Sequence, residues 1–182
     1  MTPALSAQDR RALLETARQA IADRLAGRPQ VSPALDGVFA RASGVFVSLH
    51  RRGELRGCIG YPDGEQPLGV SVPQCAVSAA TGDPRFSAVT SSELPELDIE
   101  ISVLTPVEPV TDPTMIEIGR DGLIVEQQRR RGLLLPQVAT EWGWDRETFL
   151  TQTCVKAGLP RDAWKRGALI FRFRAEVFGD QS

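Results

Sequence analysis

The chain has 182 residues, enough for one good core, or for a main domain with a small attached lobe, and too few for two ordinary domains. Lys and Arg number 21 against 23 Asp and Glu, a net charge of −2, so no excess of cations exists to neutralise a run of phosphates and the composition argues against general nucleic-acid binding. No apolar run reaches the roughly 18 residues that a bilayer span needs, and Met1 to Arg11 contains no apolar leader segment, so a cytoplasmic, unexported protein is expected.

Ser6-Ala7-Gln8-Asp9 matches a capping box with Asp in the usual Glu position, and Leu13, Leu14, Ala17, Ala20, Ile21 and Leu25 follow at helical spacing up to Gly27. Gly44 to Leu49 and Glu54 to Tyr61 read as two strands of a hairpin closed around Arg51-Arg52-Gly53. Leu68 to Ala80 is an alanine-rich helix perturbed near Pro73 and ending before Gly82-Asp83-Pro84. From Leu97 to Leu104, apolar Leu97, Ile99, Ile101 and Val103 alternate with Asp98, Glu100 and Ser102, the pattern of a strand with one buried face. Short strands are expected at Ile116–Ile118, Gly122–Gln127 and Gly132–Leu135, the last two closing over a tight turn at Arg129-Arg130-Arg131. Pro136 starts a short helix through Glu141, and Asp145 caps another that buries Phe149, Leu150, Thr153 and Cys154 and stops at Gly158. A final strand runs from Leu169 to Val177. Hairpins joining neighbouring strands favour an α+β fold with a mainly antiparallel sheet flanked by helices.

The most informative stretch is Leu55-Arg56-Gly57-Cys58-Ile59-Gly60, where two glycines flank a cysteine inside a strand. Glycine weakens a strand and marks a bulge or a close approach, so Gly57 and Gly60 are expected to leave room beside Cys58. Alternation places Arg56 and Cys58 on one face and Leu55, Gly57 and Ile59 on the other. If the Leu97–Leu104 strand is the neighbour, Glu100 joins Arg56 and Cys58 in one polar cluster. A guanidinium near the thiol favours the thiolate, whereas a carboxylate paired with that guanidinium, or burial, opposes it. His50, the one histidine, lies at the hairpin turn, which argues against a Cys-His dyad. Three cysteines without CxxC spacing indicate neither a disulfide framework nor a cysteine zinc site, and no metal ligand set or cofactor motif is seen. Packing is the alternative role for Cys58, as it is for Cys75 and Cys154 on apolar helix faces. Asp83-Pro84-Arg85-Phe86 reads as a rigid turn with an Arg85 ion pair, or as a loop that brings Arg85 beside Arg56 on an anionic ligand. Trp142, Trp144 and Trp164 read as packing anchors or as an interface.

Leu55 to Gly60, Asp83 to Phe86, Glu93-Leu94, Ile101 to Leu104, Gly119 to Leu123, Leu134 to Ala139, Trp144-Asp145 and Lys156 to Leu159 together resemble the AMMECR domain family, in the family's order. The resemblance implies one domain over residues 1–182, with flexible ends at about 1–5 and 179–182, built as a larger and a smaller lobe. It also implies kinship with the A component of the AmmeMemoRadiSam system, whose associates are a Memo-like protein and a radical S-adenosylmethionine protein. The chain lacks CxxxCxxC and is not that radical enzyme. Three functions are expected in order: a ligand- or partner-binding component of such a module, centred on Cys58 and Arg56; an enzyme with Cys58 as nucleophile or acyl carrier, Glu100 as acid/base and Arg56 and Arg85 as anion holders; and a structural interaction module.

Overall fold

The computed structural model describes residues 4–181. The chain divides into two compact units, Met1–Leu104 with Glu176–Ser182, and Thr105–Ala175.

In the first unit, helix α1 (Ala7–Leu25) starts with the expected capping box: the Asp9 amide donates to Ser6 Oγ at 3.1 Å and the Ser6 amide to the Asp9 carboxylate at 2.9 Å. Strands β1 (Val45–Arg51) and β2 (Glu54–Tyr61) form a hairpin. Its two central residues, Arg52 and Gly53, both have positive φ, the geometry whose twist matches the strands it joins. Helix α2 (Leu68–Thr81) and strand β3 (Leu97–Leu104) follow, and the chain returns at its end as β8 (Ala175–Gly179). The sheet order is β2-β1-β3-β8, so β1 lies between β2 and β3. Val45, Val47 and Leu49 share a buried face with Leu97, Ile99, Ile101 and Val103, and that face packs with Leu13, Ala17 and Ile21 of α1 and Val72, Cys75 and Ala76 of α2. The alternation of β3 thus has the meaning expected of it. Leu5 and Asp180, inside the ends expected to be flexible, are tied to Glu176 and to Arg18 and the Ile99 amide; residues 1–3 and 182 lie outside the described residues.

The second unit holds β4 (Glu108–Pro109), β5 (Gly122–Gln127), β6 (Arg130–Leu134), helices α3 (Pro136–Glu141) and α4 (Arg146–Lys156), and β7 (Leu169–Phe173), with sheet order β4-β7-β5-β6. Its core gathers Ile116, Leu123, Phe149, Leu150 and Ile170. Asp145 caps α4 through the Thr148 amide at 2.8 Å, and Gly158 takes the left-handed conformation after the helix.

Three expectations are corrected. Ile116–Ile118 is not a strand: Ile116 is buried apolar packing, while Glu117 and Asp121 close a loop through Glu117 N–H to Asp121 Oδ2 and Asp121 N–H to the Glu117 carbonyl. The arginine turn tightens to Gln128-Arg129, with Gln128 at positive φ, so Arg130 and Arg131 already pair with Gln127 and Glu126. The single strand expected over 169–177 is two, β7 and β8, in different sheets; it breaks at Arg174, whose amide donates to Thr105 Oγ1 and whose carbonyl accepts from the Thr105 amide.

Two glycines set close approaches. A Cβ on Gly57 would stand 2.1 Å from the Ala79 carbonyl oxygen of α2, and one on Gly132 would stand 2.4 Å from the Ala157 amide nitrogen. Both obstacles are backbone and cannot swing aside. Gly57→Ala and Gly132→Ala are each expected to lower the free energy of unfolding by about 2 kcal/mol or more, since overpacking costs about 1–3 kcal/mol even against movable side chains. Urea titration checks this, and a loss below about 0.5 kcal/mol would contradict the packing.

Candidate functional site

Strand β2 is an edge of its sheet, and its sequence is irregular where the candidate residues lie. The pairing with β1 shifts between Leu49↔Gly57 and His50↔Leu55, which leaves Arg56 as the extra residue of a β-bulge. The bulge sends the Arg56 side chain to Glu93: Nε donates at 3.0 Å, and Nη1 donates to the Ser87 carbonyl at 2.8 Å. Glu93 also accepts from Arg51 and from the Thr90 amide. Arg56 is therefore a largely buried bracket between the strand and the 87–93 loop.

The thiol of Cys58 is half-buried and accepts a 3.2 Å hydrogen bond from Ser48 Oγ on β1. Ser48 pairs with Cys58 on one side and with Glu100 on the other, so the three residues form a row across the sheet. The expected convergence of Glu100 with Cys58 and Arg56 does not occur, because β1 intervenes and two strand spacings separate the backbones by about 10 Å. Glu100 instead lines a groove of about 280 Å³ with His50 and Asp98. His50 pairs with Leu55, as the turn geometry suggested, and not with Cys58.

The glycines do not open the backbone. Gly57 is filled by the α2 main chain, and a Cβ on Gly60 would stand 2.2 Å from the Phe46 ring, which lies over it. What approached these positions was the protein itself.

Residues Asp83 to Arg85 clasp the free edge of β2. Asp83 Oδ2 accepts the Cys58 amide at 2.9 Å, Arg85 donates to the Cys58 carbonyl at 3.3 Å, and the two side chains are joined at 2.7 Å. Asp83 also accepts the Arg85 amide, and its side chain is only 2% exposed. The Arg85 guanidinium, assisted by the Cys58 and Arg85 amides and opposed by burial, holds the Asp83 carboxyl well below the usual carboxylate range. Arg85 lies over the Phe86 ring, 5.3 Å from its centroid, and stays 56% exposed. A buried anion with this set of donors leaves neither main-chain group of Cys58 unpaired at a sheet edge.

Among the other thiols, burial pushes Cys75 up to about 12 and also raises Cys154, and both pack in cores. Trp164 packs in the core of the second unit, while Trp142 stacks on Trp144 at 6.1 Å and remains exposed. Among the described residues, no group of three or more His, Cys, Asp or Glu side chains is placed to hold a metal ion, and no helix is long and apolar enough to cross a membrane. Ser48 and the clasping role of Asp83 were not found from sequence, although a serine interrupting the Phe46-x-Ser48-x-His50 face was the available signal.

A family model described as AMMECR1 matches residues 14–178. The chain belongs to the AMMECR1 family. AMMECR1-type relatives include a protein of Methanothermobacter thermautotrophicus, 49% identical over 96% of this chain and 95% of that protein. Another, from Thermofilum pendens, is 44% identical over 96% of this chain and 91% of its own length. The crystal structure of the uncharacterized protein PH0010 from Pyrococcus horikoshii superposes with a TM-score of 0.88 at 41% identity, covering 96% of this chain and 93% of that one. The AMMECR1 domain is thus an α+β fold with the resemblance read from the sequence blocks now established.

Arg56, with the Thr90 amide, holds the Glu93 carboxyl down to about 2, against the opposing effect of burial. Because that value lies below the unfolded one, the pair stabilises the fold fully above about pH 4.5, and the contribution is lost as pH falls toward 2. Urea midpoints measured across this window are expected to drop more steeply for the natural protein than for Glu93→Gln. Parallel profiles would contradict the assignment.

Proposed function

We propose that this AMMECR1 protein is a binding component whose working surface centres on Cys58, Ser48 and Arg85, and that it acts alongside a Memo-like and a radical S-adenosylmethionine protein. The observation that carries the reading is the clasp: both main-chain groups of Cys58 are fixed, while Cys58 is only half-buried and the Arg85 side chain remains 56% exposed. Fixing a backbone removes the ordering cost that a binding partner would otherwise have to offset. Arg85 retains donors for an anionic group on the partner or ligand while keeping its bond to Asp83. Arg56 supports this surface from behind, with its guanidinium already committed to Glu93 and two carbonyls. Gly57 and Gly60 shape it by letting α2 and Phe46 close in. Nucleophilic catalysis by Cys58 ranks second because the neighbour of the thiol is a hydroxyl, not a base, and Glu100 lies beyond Ser48.

Calorimetric titration with a Memo-like protein, a radical S-adenosylmethionine protein and a panel of anionic metabolites is expected to show binding to at least one. Cys58→Gln and Ser48→Gln, each verified as folded, are expected to weaken it by at least about tenfold. Under iodoacetamide near neutral pH, the native protein is expected to label at Cys58 no faster than free cysteine, with Cys75 and Cys154 labelling only after unfolding. No binding, or binding indifferent to both substitutions, contradicts the reading; labelling of Cys58 far faster than free thiol moves the conclusion to the enzyme.

A further inference from the structure

A groove of about 640 Å³ lies beside α1 in the first unit, within the range of small-molecule sites and apart from the Cys58 surface. Ala7, Arg10, Arg11, Leu14, Glu15 and Arg18 line it, at i, i+3, i+4, i+7, i+8 and i+11, a single face of the helix. That face is distinct from the core face carried by Leu13, Ala17 and Ile21. Across the groove lie Phe178, Gly179 and Asp180, at the end of β8 and just beyond it. Its floor is apolar, with Phe178 and Leu5 buried and Leu14 packed against the core.

The charges along it are unevenly committed. Arg18 is spent: it donates to Asp180 and to the Leu97 and Leu94 carbonyls. Asp180 is spent on Arg18 and the Ile99 amide. Arg10 has one ionic contact among the described residues, at 3.5 Å to Glu176; its Nε–H is shielded from solvent without an acceptor, and its guanidinium lies over the Phe178 ring at 5.8 Å. Arg11 has no ion-pair or hydrogen-bond partner among the described residues. Unspent donors therefore collect at the N-terminal end of α1, where the helix dipole also favours an anion. Glu15, one turn further and likewise unpaired, repels a second negative charge. From Arg11 to Arg18 the helix rises about 10 Å, the length of a medium-chain acyl tail.

We propose that this groove binds an amphipathic monocarboxylate, its head held by Arg10 and Arg11 and its hydrocarbon body laid on Leu14 and Phe178. A free inorganic anion gains nothing from the apolar floor, and a neutral alkyl compound gains nothing from the arginines, so the ligand must carry both parts.

Octanoate titrated into the full chain, followed by backbone amide NMR, is expected to bind saturably and to shift resonances of residues 7–18 and 178–180. Arg11→Gln, on an exposed side chain that the fold does not use, is expected to weaken binding at least about fivefold, and Arg10→Gln with it by more than about twentyfold. Leu14→Asp should abolish it. Glu15→Gln should admit the dicarboxylate suberate, which the natural protein rejects. The proposal is overturned if 1-octanol binds as well as octanoate, if the double arginine variant keeps its affinity, or if the shifts fall outside this face.

Discussion

A single buried carboxylate governs the edge of the first sheet. Asp83 accepts from the Cys58 amide, from its own turn at the Arg85 amide, and from the Arg85 guanidinium, and Arg85 in turn reaches the Cys58 carbonyl. An isolated carboxylate at 2% exposure would be costly to ionise; with these donors the anion becomes the preferred form. The result is a strand edge at which both main-chain groups of Cys58 are satisfied by side chains instead of another strand. That protects the edge from adventitious pairing and holds Cys58 in one place.

The surroundings of the clasp all serve the same constraint. Gly57 lets α2 approach the back of β2 at backbone distance, and Gly60 gives its face to the Phe46 ring. The bulge at Arg56 turns a guanidinium toward Glu93, which also gathers Arg51 and Thr90, so the 83–93 segment is bound to β2 at both ends. The cations that sequence suggested as ligand holders are thus first of all structural. Arg85 keeps a share of its guanidinium exposed and can do both; Arg56, at 16% exposure, is committed to the fold.

Much of this was legible in the chain. The capping box at Ser6 and Asp9, the β3 alternation, the hairpin at Arg52-Gly53 and the cap at Asp145 each rest on local chemistry that a few neighbouring residues determine. The AMMECR blocks led to the right family and the α+β class. Strand order was not legible: the insertion of β1 between β2 and β3 depends on long-range pairing, and it separated Glu100 from Cys58 while bringing in Ser48. Ile116–Ile118 misled because a short apolar run looks alike as a strand or as a buried loop. The break at Arg174 hinges on Thr105, far away in sequence, so the alternation from Leu169 to Val177 carried no sign of it. Gly57 and Gly60 mark close approaches, but sequence does not say whether a ligand or the protein fills the space, and here α2 and the Phe46 ring fill it.

The account stands on the claim that Asp83 and Arg85 pin an edge strand at Cys58, and amide hydrogen exchange at Cys58 tests it directly. The Cys58 amide is expected to exchange as slowly as amides paired within β1, and to lose that protection selectively in a folded Asp83→Ala variant, which offers no acceptor. Exchange at the rate of an open edge amide in the natural protein, or protection unchanged by Asp83→Ala, would contradict it.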